Sequence, residues 1–96
     1  MEYYKIKNYR VISVKYIGPT NYRGARIKIF EENREGQILS RIFSYDYGIG
    51  DIGAQAYKIL SENGFNIVCK ASLFKTDVFL CDNWGNNFIE LKDIKE

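Results

Sequence analysis

The chain has 96 residues, of which 46% are hydrophobic and 27% charged, and its formal net charge is +2. This length and apolar content exclude a disordered polypeptide and predict one folded domain, 1–96, packed from about Tyr9 to Lys92. The sequence contains no histidine, which excludes catalytic mechanisms and metal sites that depend on that side chain.

The chain contains no apolar segment near the roughly 18 residues that a membrane-spanning helix needs. Residues 1–8 lack the apolar centre of a signal peptide. We therefore expect a cytoplasmic protein without membrane contact. Cys69 and Cys81 lie in apolar runs, without CxxC spacing and without histidine to complete a zinc site. Both are predicted to be reduced core residues, and no cofactor is expected.

The first half of the chain has the alternation of β-strands. Residues 9–17 and 25–30 each place apolar side chains at every second position, on either side of a loop from Gly18 to Gly24. This pattern predicts an antiparallel hairpin. The polar connector 31–36 then leads to a third strand, 38–47, which is rich in β-branched and aromatic residues. Three such strands in succession predict a meander.

The apolar period becomes helical after residue 50. Asp51 stands at an N-cap position, and Asn63-Gly64 provides a left-handed stop, so we predict a helix over 52–63. A sequence Gly48-Ile49-Gly50-Asp51-Ile52-Gly53 at the helix start matches the dinucleotide-binding spacing. The preceding strand belongs to a meander and the chain is too short for that fold, so we interpret the glycines as a turn.

The last third of the chain predicts further strands at 66–74 and 77–83, joined by a turn at 75–77. Residues 87–92 fit either a final strand or a helical turn, because Phe88, Leu91 and Ile94 also have helical spacing. The order βββαββ predicts an α+β fold: an antiparallel sheet of about five to six strands with one helix packed on one face.

Catalytic groups are sparse in this sequence. Glu31-Glu32 lies in the predicted polar connector, and the other carboxylates near strand ends are scattered. A two-carboxylate site built from Asp46 and Asp82 is the one enzymatic alternative that we retain, although no spacing favours it. We expect a protein that is not an enzyme.

Basic and aromatic residues interleave on the outward faces of the first three strands. Residues 1–42 carry nine Lys/Arg against four Asp/Glu, whereas residues 43–96 carry five against eight. Rings can stack on bases while cations neutralise phosphates, so this face is a candidate platform for single-stranded RNA or DNA. An antiparallel sheet with one solvated face gives the same alternation without any ligand. The residues concerned are Ser13, Lys15, Arg26, Lys28, Phe30 and Arg41, with Phe43 or Tyr45.

Two turns carry residue types that are common at protein interfaces. Tyr22 and Arg23 lie at the tip of the predicted hairpin, and Trp84 lies between Asn83 and Gly85. Trp84 is equally compatible with the edge of the core. The fold has no need for both Tyr22 and Arg23 at the tip, which makes them the first candidates for partner contact.

The stretch KYIGPTNYRGARIKI, followed by FSYDY and NGFNIV, resembles small uncharacterised bacterial proteins that are carried on phages and other mobile elements. The resemblance covers about 11–68. It implies an origin and supplies no catalytic or binding residues. By analogy with small mobile-element proteins, it suggests action on a host nucleoprotein, including CRISPR-type defence complexes.

The sequence thus favours a non-enzymatic protein that binds a host protein or protein–nucleic acid complex in a stoichiometric manner. Direct binding of single-stranded nucleic acid is the alternative. We expect a monomer or weak homodimer. An exposed strand edge could pair with a second copy of the chain, and the charges of Lys70 and Lys75 leave this open because charges on an edge can also prevent such pairing. The predicted binding residues are Lys15, Tyr22, Arg23, Arg26, Lys28, Arg41 and Trp84.

Overall fold

The computed structural model describes residues 2–96 and contains five strands and one α-helix. The strands are β1 (Arg10–Ile17), β2 (Arg26–Glu32), β3 (Ile38–Ser44), β4 (Ile67–Leu73) and β5 (Thr76–Cys81), and the helix α1 spans Ile52–Glu62. Short 3-10 turns lie at Tyr3–Lys5, Gly85–Asn87 and Leu91–Asp93. Among residues 2–96, no helix is long and apolar enough to cross a membrane.

The strands form one sheet in the order β3-β2-β1-β5-β4, and every neighbouring pair is antiparallel. The predicted α+β fold is therefore confirmed, with five strands. The last strand of the chain, β5, inserts beside β1, so that β3 and β4 form the two edges. Residues 87–92 are not a sixth strand; the helical alternative is the correct one, as a single 3-10 turn.

The helix and the C-terminal segment cover one face of the sheet. Alternation places Ile12 and Val14 of β1 on this face together with Ile27 and Ile29 of β2, and all four are fully buried. The apolar stripe of α1 packs on them through Ala56, Ile59 and Leu60. Leu91 and Ile94 complete the core, so the packed region extends beyond the predicted limit at Lys92.

Both ends of α1 are fixed by the predicted signals. The Asp51 carboxylate accepts hydrogen bonds from the backbone N–H groups of Gly53 and Ala54 at 2.7 and 3.1 Å. It thus satisfies two donors that lack a helical partner. Gly64 has a φ of 94°, the left-handed conformation that ends a helix.

Two predictions about the second half of the chain are wrong. Cys81 is buried as expected, but Cys69 is exposed, because it projects from edge strand β4 on the side away from the helix. The β4–β5 turn consists of Phe74 and Lys75 rather than 75–77, since Leu73 pairs with Thr76. Lys75 takes the left-handed backbone conformation in this turn, with a φ of 61°.

Candidate binding surfaces

The face of the sheet opposite α1 is uncovered, and we call it the open face. Residues directly opposite one another on neighbouring strands share a face, so the strand register defines its members. None of them is buried. The open face combines apolar residues from all five strands with cations, and its apolar and charged members are Val11, Ile17, Phe30, Ile38, Ile42, Cys69, Ala71, Leu73, Val78, Leu80, Lys15, Arg26, Lys28 and Glu32.

The cations of the open face cluster at one end. Lys15 and Lys28 are directly opposite on β1 and β2, and each Nζ lies 5.7 Å from the centre of the Phe30 ring. Arg26 is next along β2, opposite Ile17, and its Nε is buried without a hydrogen-bond partner among residues 2–96. The paired strand positions of the open face carry one carboxylate, Glu32, which lies at the other end of β2 from Arg26. The electrostatic field around the three cations is therefore positive.

The 18–24 loop projects from this same end of the sheet. Thr20 stabilises its tip, because the Thr20 hydroxyl oxygen accepts hydrogen bonds from the backbone N–H groups of Tyr22 and Arg23 at 3.3 and 3.1 Å. The Thr20 N–H also donates to the Arg23 carbonyl at 2.8 Å. The side chain of Tyr22 is 95% exposed. A locally closed turn therefore presents an unburied tyrosine beside the cationic end.

Arg41 is not on the open face, which corrects the prediction for this residue. It lies opposite the buried Ile29 in the β2–β3 register, so it projects to the helix side. Its guanidinium donates a hydrogen bond to the Lys92 carbonyl oxygen and lies 5.5 Å from the centre of the Phe43 ring. Phe43 is buried, and Arg41 therefore fastens the C-terminal segment to β3.

Trp84 lies at the opposite end of the sheet from the loop tip. It follows β5 where Cys81 pairs with Arg10, the first residue of β1, whereas the loop follows the last residue of β1. From the rise per residue of a β-strand, these two ends of β1 are roughly 20 Å apart. Trp84 is half-buried: its indole N–H donates to the Asn8 carbonyl at 3.3 Å, and the Arg34 guanidinium lies 4.8 Å from its ring centre. The seven predicted binding residues thus do not form one site.

A cleft of about 830 Å³ opens beside Trp84, and a buried ion pair lies at its floor. Arg10 Nε and Nη2 donate to the two Glu31 carboxylate oxygens at 2.9 and 2.6 Å. The two side chains are only 2% and 7% exposed. Arg10 lies over the rings of Phe65 and Phe88, with its guanidinium carbon 5.1 and 4.3 Å from their centres.

Sequence reasoning missed this ion pair. It assigned Glu31 to a polar connector, whereas the residue lies inside β2. The sequence did contain a signal for this pair. Arg10 alternates in step with the buried residues Ile12 and Val14 of β1, and Glu31 alternates in step with Ile27 and Ile29 of β2. Two opposite charges at buried-face positions of neighbouring strands indicate a buried pair.

The proposed pair of carboxylates does not exist. Asp46 follows β3 at the end nearest the loop tip, whereas Asp82 follows β5 at the cleft end, so the two lie at opposite ends of the sheet. Asp82 instead accepts two hydrogen bonds from the Asn66 side chain, both at 3.0 Å. Within residues 2–96, no group of three or more His, Cys, Asp or Glu side chains is arranged to hold a metal ion.

Comparison of the chain with protein-family models, with curated proteins and with solved structures finds no match.

Proposed function

We propose that the chain is a non-enzymatic binding protein that engages a protein partner, alone or in a nucleoprotein complex, through the open face and the adjoining 18–24 loop. The observation that supports this proposal is the combination on one uncovered face of apolar side chains from five strands with three clustered cations. A host complex is the class of partner that the sequence resemblance suggests.

The apolar part of the open face favours a protein partner. Ile42 at the β3 edge is 48% exposed and Leu73 at the β4 edge is 67% exposed, with half-buried Val78 and Leu80 between them. An apolar centre with a polar rim is typical of protein interfaces, and contiguous apolar patches on monomers are rarely large without a binding role. Burial of such side chains against a partner supplies roughly 25 cal/mol for each Å² of apolar surface removed from water.

The cationic end favours an acidic region on that partner. Lys15 and Lys28 repel each other across the hairpin, so a carboxylate between them would relieve an unfavourable contact of the free protein. Arg26 adds a third positive charge in the same region. Tyr22 adds a large ring whose burial on binding carries little loss of side-chain freedom.

Lysate capture with matched variants tests this proposal. We expect Lys28→Glu to abolish capture of the partner, while Lys58→Glu, the same change on the exposed side of α1, leaves capture unchanged. Tyr22→Ala combined with Arg23→Ala should abolish capture with almost no change in melting temperature, because Tyr22 contributes no core packing. Equal capture by Lys28→Glu and Lys58→Glu contradicts the proposal.

Lys28→Glu has a built-in control for folding. It replaces a like-charged cross-strand pair with an ion pair to Lys15, so we expect stability to rise by about 0.2–1 kcal/mol. Loss of capture by a variant that is at least as stable as the parent therefore reports on the surface itself.

Single-stranded nucleic acid is a second candidate partner, favoured by the position of the Phe30 ring at 5.7 Å from both the Lys15 and the Lys28 ammonium groups. Fluorescence anisotropy with mixed-sequence 20-nucleotide RNA and DNA tests it. Neutralisation of three phosphates by three cations gives a slope of about −2 in log K against log salt concentration. An absence of binding at ~50 mM salt excludes this candidate and does not affect the proposal of a protein partner.

A further inference from the structure

The cleft beside Trp84 is separate from the open-face cations and has different chemistry. It is enclosed by the chain before β1, the β2–β3 turn and the segment after β5. Its apolar walls include Trp84, Phe88 and Leu39, and its volume of about 830 Å³ lies in the range of ligand-binding clefts. The three open-face cations do not line this cleft, and Glu32 is the one charged residue of the open face that does.

Most charges that line the cleft are already paired. Arg10 is bound to Glu31, and the Lys92 ammonium lies 3.1 Å from a Glu90 carboxylate oxygen. The remaining lining charges are the carboxylates of Glu32 and Glu35, which have no ion-pair partner among residues 2–96, and the Arg34 guanidinium. The uncommitted charge is therefore negative, which disfavours an anionic ligand and favours a cation.

A cationic side chain of the protein itself already lies over the Trp84 ring. The Arg34 guanidinium lies 4.8 Å from its centre, within the distance at which a cation is attracted to a ring face. Arg34 is exposed in the β2–β3 turn. The Asn33 side-chain oxygen stabilises this turn by accepting hydrogen bonds from the backbone N–H groups of Glu35 and Gln37, so the Arg34 side chain takes no part in these bonds. Its side chain is thus free to leave the ring while the turn stays intact.

The floor of the cleft presents a donor without an acceptor. Arg10 is 2% exposed, and its Nη1 has no hydrogen-bond partner among residues 2–96. The exposed Phe88 ring lies over this guanidinium at 4.3 Å. Because Arg10 is neutralised by Glu31, its unpaired N–H groups are suited to a neutral carbonyl oxygen, once Phe88 turns aside, rather than to a second carboxylate.

We propose that the cleft binds a basic polypeptide segment. An arginine or lysine side chain of that segment replaces Arg34 over the Trp84 ring and pairs with Glu35 or Glu32. A backbone carbonyl of the same segment accepts from Arg10. Arg34 is then an internal competitor that occupies the ring in the free protein.

The test uses Trp84, which is the single tryptophan of the chain and reports directly on this cleft. A blocked pentapeptide with central arginine is titrated against the full chain at ~20 mM salt, where charge screening is weak. Matched peptides with glutamine or glutamate at the centre serve as controls. We expect a saturable change in Trp84 fluorescence with the arginine peptide alone.

Three variants separate the proposed site from general electrostatics. Arg34→Gln should tighten binding about threefold, because it removes the competitor from the ring, and Glu35→Gln should weaken binding by a similar factor. Lys58→Gln removes the same charge on exposed α1 and should leave affinity unchanged. The readout is Trp84 fluorescence with a defined peptide rather than capture from lysate, so the cleft and the open face are tested independently.

The proposal is overturned by an absence of any Trp84 response in Arg34→Gln at millimolar arginine peptide. Stronger binding of the glutamate peptide overturns it as well. Equal gains from Arg34→Gln and Lys58→Gln mean attraction by net charge, without a site at Trp84. Circular dichroism of each variant shows that the titrated protein is folded.

Discussion

Replacement of Glu31 by glutamine is expected to destabilise the protein more than any conservative surface change, because it leaves the buried Arg10 cation without its counter-charge. Glu31 accepts two hydrogen bonds from Arg10, and neither side chain is more than 7% exposed. Removal of one partner from such a pair costs about 3–5 kcal/mol. A domain of 96 residues has a total stability of roughly 5–14 kcal/mol, so this loss is a large share of it.

Urea denaturation measures this loss directly, and two variants serve as references. The exposed neighbour variant Glu32→Gln should stay within about 0.5 kcal/mol of the parent. The double variant Arg10→Met with Glu31→Leu removes both charges and should recover most of the loss, because apolar side chains of similar volume can replace a buried ion pair. A loss below about 1 kcal/mol in Glu31→Gln would refute the assignment of a buried, mutually dependent pair.

Four further outcomes follow from the helix and the cysteines. Asp51→Ala should lower stability by about 1 kcal/mol in urea, since two backbone N–H groups lose their acceptor. In Gly53→Ala the new Cβ would lie 2.6 Å from an Asp77 carboxylate oxygen, so that carboxylate must move; Gly53→Ala and Asp77→Ser should therefore have non-additive effects on stability in urea, and additive effects would contradict the geometry. In a thiol titration of the native protein, Cys69 should react at once and Cys81 only on unfolding. Burial raises the pKa of the Cys81 thiol, so stability should fall as the pH rises above the ordinary thiol pKa, where the unfolded chain ionises first; a Cys81→Ala variant should lose this alkaline slope.

The order of elements could be predicted from the sequence because local signals agree with one another. Burial alternates along most of β1 and along β2, Asp51 caps α1, and Gly64 ends it. The face of Arg41 could not be predicted, since β3 has apolar side chains at both parities, with Ile42 on the open face and Phe43 in the core. When both parities are apolar, alternation does not identify the buried face.

The secondary structure of the C-terminal segment could not be predicted from local sequence either. Leu91 and Ile94 are fully buried, yet after β5 only two 3-10 turns, Gly85–Asn87 and Leu91–Asp93, order this part of the chain. The segment is held by long-range hydrogen bonds, among them those between the Asn63 side chain and the backbone of Lys95. Such contacts have no local pattern. Cys69 has the same sequence parity as half-buried Ile67, but a register shift between the two residues places Cys69 on the open face, and alternation alone does not reveal such a shift.

The central claim is that the open face and its cationic end bind a partner protein. The most direct measurement is the amount of partner captured from nuclease-treated native lysate by Lys28→Glu, divided by the amount captured by Lys58→Glu. We expect a ratio near zero with both variants folded, because only Lys28 lies on the open face beside Lys15 and Arg26. A ratio near one for folded variants would contradict the claim.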